Sequence, residues 1–221
     1  RLADLLDEGD AIVDGGNSRW TDSRDTGARL RERGLELVDV GTSGGVWGLE
    51  VGYCMMVGGA QEAVGGLAPI LDVLAPPDGW GHMGPSGAGH YVKMVHNGIE
   101  YGLMQAYAEG FSLLAAKQDL ELPLAEIAQA WCHGTVIRSW LLELTAAVLE
   151  DKASLDTVAA QVADSGEGRW TAQEAIDLGI PIPVISAALM ARFSSQGGDD
   201  FGARVLAMLR NAFGGHVLPR K

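Results

Sequence analysis

The chain has no basic surplus, few cysteines, few aromatics and no long apolar run. Its 221 residues carry a formal net charge of −13. A nucleic-acid binder needs a basic face, so that class is set aside. A small anionic ligand is not, because a local cluster of Arg and Lys holds an anion even on an acidic protein. The two cysteines, Cys54 and Cys132, lie far apart. No CxxC or Cys/His cluster points to a metal, and two buried free thiols in a reducing cytoplasm are expected. No apolar stretch reaches the roughly 20 residues of a membrane helix. The longest, around Ile180 to Ala191, carries two prolines and a serine, so no membrane partner is expected, and no signal peptide is visible. Aromatics make up 6% of the residues against 47% apolar overall, so the core is expected from Ala, Val, Leu, Ile and Met.

Two further absences concern the front of the chain. The sequence opens at Arg1 rather than Met and runs at once into Leu-Ala-Asp-Leu-Leu, which reads as the middle of a helix. A dinucleotide-binding domain opens with a strand and a G-x-G-x-x-G turn for the pyrophosphate, followed by the residue that chooses NAD or NADP. No such opening is present. The chain is therefore expected to be a fragment or a processed product.

What is present divides in two. Helix is expected over residues 2–8, 21–33 and 60–74, with Thr21 or Asp22 as the N-cap of the second and Pro76-Pro77 stopping the third. Short strands are expected at Ala11–Asp14, Leu35–Val40, Tyr53–Val57 and near Gly79–Met83. This alternation predicts a partial Rossmann-like α/β unit with a mainly parallel sheet over residues 1–85. Ligands of such sheets sit at strand carboxyl ends, here Gly15-Gly16-Asn17 and Ser43-Gly44-Gly45. Residues 86–221 read as an all-helical unit, with helices at 88–117, 123–133, 137–150, 169–178, 182–195 and 200–213.

The most informative stretch is Gly89 to Gln105. Lys93, His96, Asn97, Glu100 and Tyr101 stand at i, i+3, i+4, i+7 and i+8, within an arc of about 140° on one side of a helix. A solvated face would repeat a few charged types. This one shows an amine, an imidazole, an amide, a carboxyl and a phenol once each. Gly98 and Gly102 cost about 1 kcal/mol each relative to Ala in a surface helix, which predicts a close neighbour.

Lys-Met-Val-His-Asn-Gly-Ile-Glu-Tyr-Gly resembles the active-site helix of the decarboxylating 6-phosphogluconate dehydrogenases. Other pieces match in order: Asp14-Gly15-Gly16-Asn17-Ser18, Ser43-Gly44-Gly45, Gly-Glu-Gly-Arg169-Trp170-Thr171, Ala191-Arg192 before Ser194-Ser195, and Arg210 with Phe213-Gly214-Gly215-His216. The family usually has Lys where Arg169 stands, a mild change because a guanidinium holds phosphate at least as well. The helical part resembles the short form of the family.

The resemblance implies oxidative decarboxylation of 6-phosphogluconate to ribulose 5-phosphate and CO2 with NAD or NADP. It implies Lys93 as base and then acid, and Glu100 as the acid that protonates the enediol. It gives Asn17 a place between cofactor and substrate, and gives Ser43, Gly44 and Gly45 the carboxylate. His96 and Asn97 would orient the sugar hydroxyls, and Tyr101, Arg169 and Arg192 would bind the phosphate. Arg210 and His216 would come from the neighbouring subunit, implying a homodimer with shared sites. Two other readings stand beside it: a related β-hydroxyacid dehydrogenase of the 3-hydroxyisobutyrate type, and a non-catalytic remnant that binds sugar phosphate or dimerises. A chain that truly starts at Arg1 is expected to transfer hydride weakly or not at all.

Overall fold

The structure, a computed structural model, describes residues 2–197 together with Val205 and Met208. The sheet half comes first. A 3-10 turn at Leu2–Asp4 leads to β1 (Ala11–Asp14), α1 (Trp20–Arg31) and β2 (Glu36–Ser43). A second 3-10 turn at Gly45–Trp47 and the single turn α2 (Gly48–Val51) lead to β3 (Cys54–Gly58). Helix α3 (Gln61–Leu74) and β4 (Trp80–Gly84) complete this half.

The strands lie in chain order, β1-β2-β3-β4. β1 and β2 are parallel, as are β3 and β4, while β2 and β3 are antiparallel. The reason is the length of the connections. The two parallel pairs each enclose a full helix. The Gly44–Tyr53 link holds only tight turns, too little for the crossover that a parallel pair needs. The G-x-G-x-x-G spacing does occur at Gly79, Gly81 and Gly84, but it is strand β4 with Gly79 at its head, not a strand-to-helix turn.

Two starts differ from expectation. Residues 2–8 do not form a helix beyond Asp4, because a turn from Asp7 to Asp10, with Gly9 at φ +92°, delivers the chain into β1. α1 starts at Trp20 with Arg19 at its N-cap, so neither Thr21 nor Asp22 caps it. Trp20 instead packs edge-on against Tyr91, with ring centroids 5.3 Å apart. The free cysteines also differ, since Cys54 is exposed rather than buried.

Alternation along β2 and β3 decides what each face of the sheet carries. Val38, Val40, Met55 and Val57 form one core with Val64 and Leu71 of α3. The opposite face offers Asp39, Gly41, Met56 and Gly58, and against it lies α4 (Ala88–Ala116). A Cβ at Gly89 would overlap Met56 O and come within 2.5 Å of Asp39 O. Glycine on both sides thus lets helix backbone touch sheet backbone.

The helical half continues with a 3-10 turn at Gln118–Leu120, α5 (Leu124–Trp131), α6 (Trp140–Glu150) and the single turn α7 (Lys152–Leu155). α8 (Glu167–Leu178) and α9 (Pro183–Gln196) follow. Ser139 caps α6 by accepting from the Leu142 N–H. α5 and α6 pack on the far end of α4 through Phe111, Ala128, Leu142 and Ala146. α8 and α9 pack on its middle through Tyr101, Ala188 and Leu189. Val205 and Met208 are helical, and the rest of the expected last helix, 200–213, lies outside the described residues. Among the described residues no helix is long and apolar enough to cross a membrane.

Candidate active site

Asp39 sets the position of α4. It is fully buried at mid-strand, and its carboxylate accepts from the Gly87 N–H at 2.6 Å and the His90 N–H at 2.8 Å. A strand residue thereby caps the helix, satisfying orphan donors where negative charge is favoured. His90 is held in turn by Ser23, whose hydroxyl lies 2.7 Å from Nδ1. From this anchor α4 runs alongside β2. Gly41 lies against Lys93, where any Cβ would overlap the lysine's own. One turn further on, His96 and Asn97 reach the end of the strand.

There a cleft of about 990 Å³ opens. Its floor is α4, with Lys93, His96, Asn97 and Glu100 facing in. Ser43, Gly44 and Gly45 form one rim, and Asn17, after β1, forms another. Eight of the residues singled out in the sequence thus meet in one cavity. The apolar wall of Trp140, Leu141 and Leu144 was not foreseen, because an apolar stripe on α6 reads as core.

Within the cleft His96 Nδ1 lies 3.1 Å from Asn97 Oδ1 and 4.0 Å from Glu100 Oε2. Lys93 is half-buried, and no carboxylate among the described residues lies within 4 Å of its amine. Burial lowers its pKa, against the opposing pull of Glu100, Glu167 and Cys54. A lysine so placed gives up its proton more readily than a free one.

Glu167 carried no role in the sequence reading. It opens α8, is 2% exposed, and its Oε2 is buried with no hydrogen-bond partner. Burial raises its pKa, while Lys93 pulls the other way. The two groups therefore sense one another across the α4–α8 contact. That contact is tight: a Cβ at Gly98 would lie 2.7 Å from Thr171 Cγ2, and Thr171 Oγ1 is 2.9 Å from the Met94 carbonyl oxygen. This is the close neighbour that the helix glycines predict.

Tyr101, Arg169 and Arg192 come together, but not within the cleft. Tyr101 sits at the edge of the stripe and is buried against α8 and α9. The Arg192 guanidinium lies 3.6 Å from the centre of the Tyr101 ring, and its Nη1 donates to Ala163 O at 3.3 Å. Arg169 Nε donates to Asp164, and its guanidinium stacks on Phe193. Ser165 links the two clusters: it lines the cleft, its hydroxyl is 3.3 Å from the Tyr101 hydroxyl, and its carbonyl accepts from Asn17 Nδ2 at 3.4 Å. Arg210 and His216 lie outside the described residues. Among the described residues no group of three His, Cys, Asp or Glu side chains could hold a metal.

Comparison with known proteins separates the same two halves. Residues 1–84 match the model of the NAD binding domain of 6-phosphogluconate dehydrogenase, and residues 89–212 match that of its C-terminal domain. A relative from Haloferax volcanii, an NAD(+)-dependent decarboxylating 6-phosphogluconate dehydrogenase, is 48% identical over 98% of this chain and 72% of its own length. Among solved structures, the 6-phosphogluconate dehydrogenase of Plasmodium falciparum, determined in apo form, with NADP+ and with 6-phosphogluconate, aligns at a TM-score of 0.80 and 31% identity. The alignment covers all of this chain and 49% of that one, so the chain spans about half of that enzyme. A 3-hydroxyisobutyrate dehydrogenase from Salmonella typhimurium shares the fold at a TM-score of 0.70 and 24% identity, over 87% of this chain and 66% of that one.

Proposed function

The chain belongs to the 6-phosphogluconate dehydrogenase family, and from that premise we propose that it oxidises and decarboxylates 6-phosphogluconate to ribulose 5-phosphate and CO2 with NAD or NADP. The observation that carries the reading is a half-buried lysine and a carboxyl two helical turns apart, Lys93 and Glu100, in one cleft with a serine–glycine rim.

The chemistry needs those groups. The C3 hydroxyl must lose its proton as C3 is oxidised, and Lys93, whose burial disfavours the ammonium form, takes it. The resulting 3-keto acid loses its C1 carboxylate as CO2, the bonding electrons moving onto the ketone oxygen. Protonated Lys93 returns its proton there. The enediol that remains is protonated by Glu100 at the carbon that lost CO2, while Lys93, neutral again, takes the proton back from the enol oxygen and leaves the ketone of ribulose 5-phosphate. Ser43 and the amides of Gly44 and Gly45 hold the departing carboxylate, as a nest of N–H groups holds an anion. His96 and Asn97 orient the hydroxyls, and Tyr101, Arg169 and Arg192 bind the phosphate.

The loop after β1 fits a nicotinamide. A Cβ at Gly15 would meet nothing within 4 Å, which leaves bare backbone beside the Asn17 amide at the cleft. Bound there, the oxidised ring supplies the hydride acceptor. The change of family match between residues 84 and 89 supports residues 1–85 as the nucleotide-binding unit and 86–221 as the substrate and dimerisation unit. Arg210 and His216 complete the site of the neighbouring subunit in a homodimer. The setting is the pentose phosphate pathway in the cytoplasm, a reducing compartment suited to the two free cysteines.

The test is calorimetric titration with 6-phosphogluconate. Saturable binding is expected, weakened about 100-fold in Arg192→Ala by loss of charge-assisted contacts, with no heat from 3-hydroxyisobutyrate. Binding indifferent to Arg192 would sink the assignment.

A further inference from the structure

We propose that Asp164 is an internal stand-in for the substrate's phosphate, and that the phosphate must displace it together with the strap, residues 162–165, that carries it. The inference rests on the reading of Tyr101, Arg169 and Arg192 as phosphate ligands.

The donors around Asp164 form an anion site. Arg169 Nε donates to Oδ2, the Gly166 N–H donates to Oδ1 at 3.0 Å, and the Tyr101 hydroxyl reaches Oδ1 at 3.4 Å. Gly166, at φ +95°, is the N-cap of the 12-residue α8, so its N–H belongs to a helix start that favours negative charge. The Asp164 side chain is only 6% exposed. Burial alone would raise its pKa, but the Arg169 guanidinium, the Gly166 N–H and the Tyr101 hydroxyl together hold it below the usual carboxylate range. It is therefore charged at neutral pH and uses the donors that a phosphate would need.

The rest of the strap is tied to the same groups. Ala163 O takes the Arg192 guanidinium, and Ser165 takes Tyr101 and Asn17. The Val162 N–H donates to Ser195 Oγ at 3.0 Å, and Gln196 Nε2 donates to Val162 O at 2.6 Å. The charge count makes sharing unfavourable. Two guanidiniums less one carboxylate leave a single net positive charge, and a phosphate dianion beside Asp164 would face like charge while Arg169 Nε, the Gly166 N–H and the Tyr101 hydroxyl stay turned to the carboxylate. Only a ligand carrying a phosphate gains enough to exchange one anion for the other. The strap thus guards the arginines against weaker anions and adds to the preference for phosphorylated sugar acids.

A plain positioning role for Asp164, holding Arg169 ready, predicts the opposite effect of removing its charge. The experiment is calorimetric titration of the wild-type chain and of Asp164→Asn with 6-phosphogluconate, inorganic phosphate and gluconate. Asp164→Ser is the second variant; it keeps an acceptor for the Gly166 N–H should the first not fold. Relief of the competition is expected to tighten both phosphate ligands about tenfold, as removing a conformational tax does, and to leave gluconate unchanged. Equal or weaker binding of 6-phosphogluconate, while Arg192→Ala still weakens it about 100-fold, would overturn the stand-in and leave the phosphate assignment intact. Binding that ignores Arg192 in every variant would overturn both.

Discussion

Helix α4 serves two groups of polar residues, and they are kept in opposite states. Those facing the cleft are lightly engaged: Lys93 has no carboxylate within 4 Å among the described residues, and His96 leans on Asn97 at 3.1 Å with Glu100 further off at 4.0 Å. Those at the arginine end are engaged, with Tyr101, Arg169 and Arg192 all drawn onto the 162–165 strap. The contrast follows from what each end does. A proton carrier must stay unpaired for its pKa to be useful, whereas a strong anion site left open would take any anion.

Lys93→Met removes the proton carrier and should have the largest effect. kcat is expected to fall by about 10³- to 10⁴-fold, at the upper end for general acid–base groups, while calorimetry still detects 6-phosphogluconate. If kcat falls less than tenfold, the cleft end is not where the chemistry occurs. Gly89→Ala attacks both ends through the helix that carries them. The new Cβ would overlap Met56 O, and about 3 kcal/mol of stability should be lost, read from denaturant midpoints. Rate and phosphate binding are expected to fall together; loss of one alone would mean that the two ends are positioned separately. Glu167→Gln is the mildest. The Glu167 charge supports the Lys93 ammonium against burial, so its removal lowers the Lys93 pKa further. The acidic limb of kcat/KM against pH should therefore move to lower pH. A limb that stays fixed would show that Glu167 only fills space.

How much of this could be read from the sequence depends on distance along the chain. The strands near Ala11, Glu36 and Trp80 follow from local alternation, and α4 follows from its own stripe. The cleft was legible because Lys93, His96, Asn97 and Glu100 lie within two turns, and because the loops after β1 and β2 fall at strand ends, where ligands of such sheets gather. The arginine end was legible only as separate pieces. Asp164 lies 63 residues from Tyr101, and nothing local in Ala163-Asp164-Ser165-Gly166 distinguishes it from a loop carboxylate before a helix. Glu167 reads as an acidic first-turn residue. Its burial comes from α4 through contacts such as Thr171 on Gly98, which no spacing within α8 reveals. Trp20 displaced the expected cap of α1 for the same kind of reason, a partner on α4 far along the chain.

The Asp39 carboxylate bears on the order of events during folding. It joins the start of α4 to the middle of β2 across 48 residues, and it is useful only once both are in place. Contacts of such separation form late, since a long loop must close before they return anything. A nascent α4 therefore begins with its first N–H groups unmet and settles into register only when the sheet has paired. Lys93 lies one turn beyond that anchor, so the reactive cleft depends on a paired sheet, and weakening the sheet is expected to loosen it.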